Sequence, residues 1–260
     1  MSEPDILPPP ALERGVSAAH APAWLAATLR PGLVPRALDA GIQSFLGQDA
    51  ERAEYDAFGP AYDRVVSNRV YTRLVWGASP AQWTAFARTA LQACDTGPLL
   101  DVACGSLTFT ADVYAQATRP VVLLDRSVAM LGMARARLGA RGGGPRCCLV
   151  HADARALPFR DGAFPTVACH GSLHVFDDPT SIVAELARAV APGGELFATC
   201  LVDTGRWLAR RMMKFARRKG HFGPMRTADE VAGLVRAAMG STPDLELRGS
   251  MAYLRARAPR

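Results

Sequence analysis

The sequence predicts an α/β fold: a mostly parallel, seven-stranded sheet with helices on both faces and an antiparallel C-terminal strand. Three observations carry this. From about residue 80 onward, short apolar runs alternate with helical patterns, the signature of parallel strands joined by crossover helices. One run, Leu99-Leu-Asp-Val-Ala-Cys-Gly-Ser-Leu-Thr-Phe-Thr110, passes through a small-residue turn into a helical pattern. The next, Val121-Val-Leu-Leu-Asp125, ends in a carboxylate 24 residues after Asp101.

The elements follow in order. Residues 1–54 read as an N-terminal helical extension that could act as a lid, with short helices over 22–29 and 35–46. Residues 55–260 read as one α/β domain. Tyr55, Phe58 and Tyr62 are spaced for one helix face, although Gly59-Pro60 should break such a helix. Ser79-Pro80 opens a helix to about residue 93, with serine as cap and proline in the first turn. Strand 99–103, helix 108–116, strand 120–124, helix 127–138, strand 146–151 and strand 164–170 follow. Asp178-Pro179 opens a helix over 179–191. Pro192-Gly193-Gly194 makes a turn before strand 195–202. A helical insertion spans about 203–226. Thr227 with Glu230 three residues on is a capping-box pattern for helix 228–239. Strands 245–249 and 251–257 close the sheet as a hairpin.

Open parallel sheets bind ligands outside the carboxyl ends of their strands. Asp101, Asp125, Asp153 and His170 fall at or just after such ends, so they can converge on one crevice. A strand, a tight turn, a helix and a second strand ending in acid together suit a nucleoside. The turn lets backbone approach the ligand, and the acid takes two ribose hydroxyls. The turn holds one glycine, Gly105, so it is not the three-glycine loop that cradles a pyrophosphate.

Asp101-Val-Ala-Cys-Gly105, Asp125-Arg-Ser-Val-Ala-Met130, Asp153-Ala-Arg-Ala-Leu-Pro-Phe159 with Asp161-Gly-Ala-Phe164, Ser172-Leu-His-Val-Phe-Asp-Asp-Pro179 and Ala191-Pro-Gly-Gly-Glu195 occur in that order. In this the chain resembles the class I S-adenosylmethionine-dependent methyltransferases, from about Tyr55 to the C-terminus. It is most similar to their small-molecule branch, which includes ubiquinone-type enzymes. The resemblance implies a Rossmann-like fold and S-adenosyl-L-methionine as cofactor. It implies that Asp101 positions the amino-acid end of the cofactor, with Ala103 and Gly105 in the turn. Asp125 would hold the ribose, with Arg126 beside it. Met130 would pack on the adenine, Asp153 would sit beside its amino group, and Ala154 would offer a backbone N–H. Tyr62 would cover the ligand. His174 and His170 are the candidate catalytic bases, and His170 is also a candidate cofactor contact. His221 is a weaker base candidate.

Two positions depart from the family pattern. Leu107 stands where relatives usually have glycine, so its side chain either turns away or narrows the pocket. Pro165-Thr166 replaces a Phe-Asp pair. The expected function is methyl transfer to a small, fairly apolar acceptor by in-line displacement. One alternative is a protein that binds the cofactor but catalyses another reaction, or only binds. Another is a nucleic-acid methyltransferase.

Composition narrows these choices. No apolar run approaches the roughly 18 residues that span a bilayer, and the acidic, proline-rich start lacks a secretory pattern; a cytoplasmic location is expected. Cys94, Cys104, Cys147, Cys148, Cys169 and Cys200 show no paired C-x-x-C spacing, so no metal is expected. The net charge of +6 admits a nucleic-acid partner. However, an Asn/Asp-Pro-Pro-Tyr segment and an aromatic-interleaved basic stripe are both missing, which disfavours it. Oligomeric state is not legible.

Much of the positive surplus lies in Arg206 to Lys219. On a helical wheel Leu208, Ala209, Met212, Met213, Phe215 and Ala216 share one side, with Arg210, Arg211, Lys214, Arg217 and Arg218 on the other. The expectation is a lid with its Leu, Met and Phe side inward. Membrane-surface contact by the basic side is disfavoured, because the apolar side is modest.

Overall fold

The computed structural model describes residues 22–38, 41–47, 59, 61, 63–143, 146–220 and 222–260. Among the described residues, nine strands form one sheet: β1 (Arg36–Leu38), β2 (Ile42–Ser44), β3 (Leu99–Val102), β4 (Val121–Asp125), β5 (Cys147–His151), β6 (Phe164–His170), β7 (Val190–Leu201), β8 (Asp244–Arg248) and β9 (Met251–Arg257). Their spatial order is β1-β2-β5-β4-β3-β6-β7-β9-β8. The sheet is parallel from β2 through β7, and antiparallel at the β1–β2 edge and where β9 meets β7 and β8.

The helices are α1 (Ala23–Ala26), α2 (Arg69–Tyr71, continued by a π-helical turn Thr72–Trp76), α3 (Pro80–Gln92), α4 (Ala111–Ala115), α5 (Val128–Gly139), α6 (Thr180–Ala189), α7 (Trp207–Arg218) and α8 (Ala228–Met239). None among the described residues is long and apolar enough to cross a membrane.

The local signals behave as their chemistry requires. Ser79 and Thr227 form reciprocal capping boxes with Gln82 and Glu230. Ser127 Oγ accepts from the Met130 N–H and caps α5. Asp178 Oδ1 accepts from the Thr180 N–H at 2.9 Å, two residues ahead of the first helical residue. The central strands β3 and β4 are apolar on both sides because helices cover both faces. One cluster packs β3–β7 and β9 against α6 and α8; the other packs the opposite face against α3, α4 and α5.

Four expectations are corrected. The helix expected over 35–46 is the β1–β2 hairpin, whose β2 extends the sheet beside β5. This adds two strands to the seven expected. The helix expected over 22–29 has only one full turn, because the following chain crosses to pair Leu29 with Phe159. The helix expected over 108–116 starts at Ala111, because the preceding residues form the turn after β3. The helix expected to reach 191 stops at Ala189, and β7 begins at Val190 with an irregular register against β6 around Pro192-Gly193-Gly194. Residues 59, 61 and 63–66 are helical; the expected break at Gly59-Pro60 concerns a helix face carrying Tyr55, Phe58 and Tyr62, which with Pro60 lie outside the described residues.

Candidate active site

The sheet reverses its strand order at β3, with β4 on one side and β6 on the other. This switch point opens a crevice beyond the strand ends. Two connected chambers occupy it. A wide cleft of about 550 Å³ is lined by Asp125, Arg126, Asp153, Ala154, Val175 and Phe176, among others. A smaller inner chamber of about 100 Å³ is lined by Asp101, His170, Trp76, Trp83, Phe109 and Val66, among others. Ala103, Gly105, Met130 and Gly171 border both.

The turn after β3 is built for close approach. Ala103 and Gly105 both adopt left-handed backbone, with φ of 55° and 57°. A side chain at Gly105 would meet nothing within 4 Å, so open space lies before this turn. Gly171 is required for another reason: at φ 71°, an added Cβ would strike the Trp83 ring. Alanine at 103 bears a backbone strain of about 1–3 kcal/mol, the kind found at ligand-gripping turns.

Asp125 ends β4. Its Oδ2 accepts from the Gly105 N–H at 2.8 Å and its Oδ1 from the Ser127 N–H at 2.9 Å. The carboxylate is thereby fixed against the turn, at the wall of the cleft. Asp153 lines the same cleft beside Arg126, 3.4 Å away, and Arg155, 3.8 Å away.

Asp101 is fully buried at the inner chamber. Its Oδ2 accepts from the Tyr114 hydroxyl at 2.8 Å, and its Oδ1 has no partner among the described residues. Burial pushes its pKa up to about 7, and the Asp125 charge adds to the rise; the Tyr114 hydroxyl and, at longer range, the His170 backbone N–H oppose it. A buried carboxylate oxygen without a donor is costly, and a ligand ammonium would satisfy it.

His170 also faces the inner chamber, edge-on to Phe86 at 5.9 Å between ring centres. Neither ring nitrogen has a partner among the described residues, and burial lowers its pKa to about 4. The ring is neutral at pH 7. His174 borders neither chamber. Its Nδ1 accepts from the Leu201 N–H at 3.3 Å, and its ring packs on Phe222. Burial lowers its pKa to about 3. Its position after β6 turns it toward β7, away from the crevice. Tyr62 and His221 lie outside the described residues.

Leu107 turns away from the wide cleft, which it does not line, and borders only the inner chamber. Its backbone is left-handed at φ 57°, and its side chain is buried in the cluster that holds Ala111, Tyr114 and Leu131, while also bordering the inner chamber. The segment expected as a lid backs the chamber wall. Ala209 and Met213 pack in the cluster with Val66, Trp76 and Trp83, and Leu208 and Met212 lie against it. No α7 residue lines either chamber. Phe215, expected inward, is exposed. At 100° per residue it sits at the edge of the apolar arc, nearer to Trp207 than to Met213.

One cluster was not anticipated. Asp63 accepts from Ser106 Oγ, from Thr108 Oγ1 at 2.6 Å, and from both terminal nitrogens of Arg137, at 3.0 and 2.6 Å. Arg137 also donates to the Ser106 carbonyl at 2.7 Å. Burial pushes the Asp63 carboxyl up, but these hydrogen bonds outweigh it and hold the pKa below the ordinary value. The cluster ties the N-terminal helical segment and α5 to the turn after β3.

Residues 100–198 match the methyltransferase domain family. The chain carries a class I S-adenosylmethionine-dependent methyltransferase domain. It is similar to a demethylmenaquinone methyltransferase of Renibacterium salmoninarum, 32% identical over 148 residues, covering 57% of this chain and 57% of that protein. It is also similar to a ubiquinone/menaquinone biosynthesis C-methyltransferase of Desulfotalea psychrophila, 29% identical over 181 residues, covering 68% and 70%. Across its first curated relatives the match spans about half of their length. Among solved structures, an O-methyltransferase family protein from Burkholderia thailandensis superposes with a TM-score of 0.61 at 20% identity, covering 77% of this chain and 59% of that one; this likeness concerns the fold.

The crevice fits the cofactor that the family uses. The open space before Gly105, the oriented Asp125 carboxylate and the unpartnered Asp101 oxygen match a nucleoside joined to an amino acid.

Proposed function

We propose that this protein transfers a methyl group from S-adenosylmethionine to a small, largely apolar acceptor, of the quinol or related aromatic class. One observation carries the reading: the wide cleft opens, past Ala103, Gly105, Met130 and Gly171, into a smaller chamber with Trp76, Trp83 and Phe109 in its wall. Its aromatic wall suits a flat apolar ring, while Asp101, Ser106, Thr108, Thr110 and His170 supply the chamber's few polar groups. The names of the quinone-modifying relatives support this acceptor class.

S-adenosylmethionine, when bound, supplies an electrophilic methyl group on a positively charged sulfur. In this reading Asp125 holds the ribose, Asp101 the ammonium, and Asp153 with Ala154 the adenine edge. The aromatic wall orients the acceptor and excludes water, which is where most of the rate gain of such a displacement arises. His170 takes the proton that the acceptor loses. Its neutral ring does not repel the sulfonium, and a base whose pKa burial lowers to about 4 suits the strongly acidic ring cation that methyl attack leaves.

The test is incubation with S-adenosylmethionine and a demethylated quinol, with mass spectrometry of both products. A methylated ring together with S-adenosylhomocysteine supports the proposal. Cofactor binding without turnover on any aromatic acceptor would refute the acceptor class. No binding at millimolar cofactor would refute methyl transfer itself.

A further inference from the structure

The outer surface of α7 and of the α2 segment serves no part of the crevice. On α7, Trp207 is 74% exposed and Phe215 is 57% exposed. On the neighbouring segment, Val70 and Leu74 are 65% and 60% exposed, one helical turn apart. The two segments cover the same apolar cluster with their inner sides. Their outward apolar side chains are therefore left over after packing is complete. Single exposed apolar residues are ordinary; four on adjoining helices, in a setting of one charge sign, are not.

That sign is positive. Residues 206–219 hold seven Lys and Arg, and no Asp or Glu occurs from 204 to 228. Arg210 pairs with Asp203 at 3.0 Å. Arg211, Lys214, Arg217 and Arg218 are exposed and have no ion-pair partner among the described residues. At 100° per residue, Trp207, Arg211, Phe215 and Arg218 share an arc of about 80° on the outward side.

We propose that this surface docks on an anionic lipid bilayer, with α7 lying in the plane of the interface. Trp207, Phe215, Leu74 and Val70 would enter the headgroup–acyl boundary, where an amphipathic tryptophan is favoured. The arginines and lysines would bury their stems and keep their charges at the phosphates. The exposed aliphatic pair favours lipid over nucleic acid, because Leu74 and Val70 cannot stack on bases. Docking also sets the far side of the chamber's aromatic wall against the membrane, a short path for an apolar acceptor. The docking itself does not depend on methyl transfer, and its test does not use the reaction.

The full chain is mixed with vesicles of phosphatidylcholine alone or with phosphatidylglycerol, at low and physiological salt, and co-sedimentation and tryptophan emission are read. The expected result is association with the anionic vesicles only, weaker in salt, with a blue-shifted emission that Trp207→Phe abolishes. The other three tryptophans are buried or half-buried, so the shift reports Trp207. Changing Arg211, Arg217 and Arg218 together to Glu should weaken association at least about tenfold, since one cation near an anionic leaflet is worth about fivefold. Trp207→Ser with Phe215→Ser keeps every charge and should weaken it severalfold, with S-adenosylhomocysteine affinity unchanged. Absence of association at low salt overturns the proposal. So does association that the serine pair leaves unaltered, or tight binding of a random RNA oligonucleotide without any emission shift on vesicles.

Discussion

Leu107 sets two opposing effects against each other, and substitution separates them. Its backbone lies at φ 57°, where an L-residue with a Cβ bears about 1–2 kcal/mol. Its side chain is 1% exposed and packs between the turn, α4 and α5. Leu107→Ala keeps the Cβ and therefore the strain, while emptying a core site; the expected cost is about 2–5 kcal/mol. Leu107→Gly empties slightly more but relieves the strain, so it should be more stable than the alanine variant by about 1 kcal/mol. Urea unfolding monitored by circular dichroism gives both differences, provided the denaturant slope stays constant. In a chain of this size the two variants should melt about 2–4 °C apart. S-adenosylhomocysteine affinity should change less than threefold in the glycine variant, because the turn keeps its backbone. Two results would refute the reasoning. A glycine variant less stable than the alanine variant means the backbone is not left-handed at 107. Two variants as stable as the parent mean the side chain is not part of the core.

Three further outcomes are expected. Asp125→Ala should weaken S-adenosylhomocysteine binding at least about tenfold by calorimetry, since hydrogen bonds to a charged group are worth about 1.5–3 kcal/mol each; unchanged affinity would place the ribose elsewhere. Asp101, with its pKa raised by burial to about 7, holds a proton in the folded chain that the unfolded chain has released, so its contribution to stability falls as pH rises from about 4 to 7. Asp101→Asn should flatten stability over that window, and ligand binding by the parent should release a proton near pH 7, read as a buffer-dependent heat; a parent that binds without such release contradicts the ammonium assignment. His170→Gln should lower kcat by about 10²-fold or more with cofactor affinity within threefold, whereas His174→Gln should act mainly on stability; equal kcat losses in both would remove the distinction drawn from the chambers.

The parallel core, the Ser79 cap, the Thr227–Glu230 capping box and the placement of Asp101, Asp125, Asp153 and His170 at strand ends were legible in the sequence. Each depends on local chemistry: apolar runs, turn residues, serine ahead of proline, and threonine three residues ahead of glutamate. Tertiary structure alone decided the rest. The β1–β2 hairpin is built of two three-residue strands, too short for a pattern, and exists because the edge of β5 accepts β2. The Asp63–Arg137 cluster joins residues 74 apart in sequence, and no local spacing announces it. His170 and His174 are four residues apart with the same chemistry; the turn at Gly171 sends one into the chamber and the other against β7. Phe215 and Trp207 belong to a helix whose apolar arc is wider than the cluster beneath it. Periodicity marks a helix's apolar side, but only the surface it packs on determines how much of that side is covered.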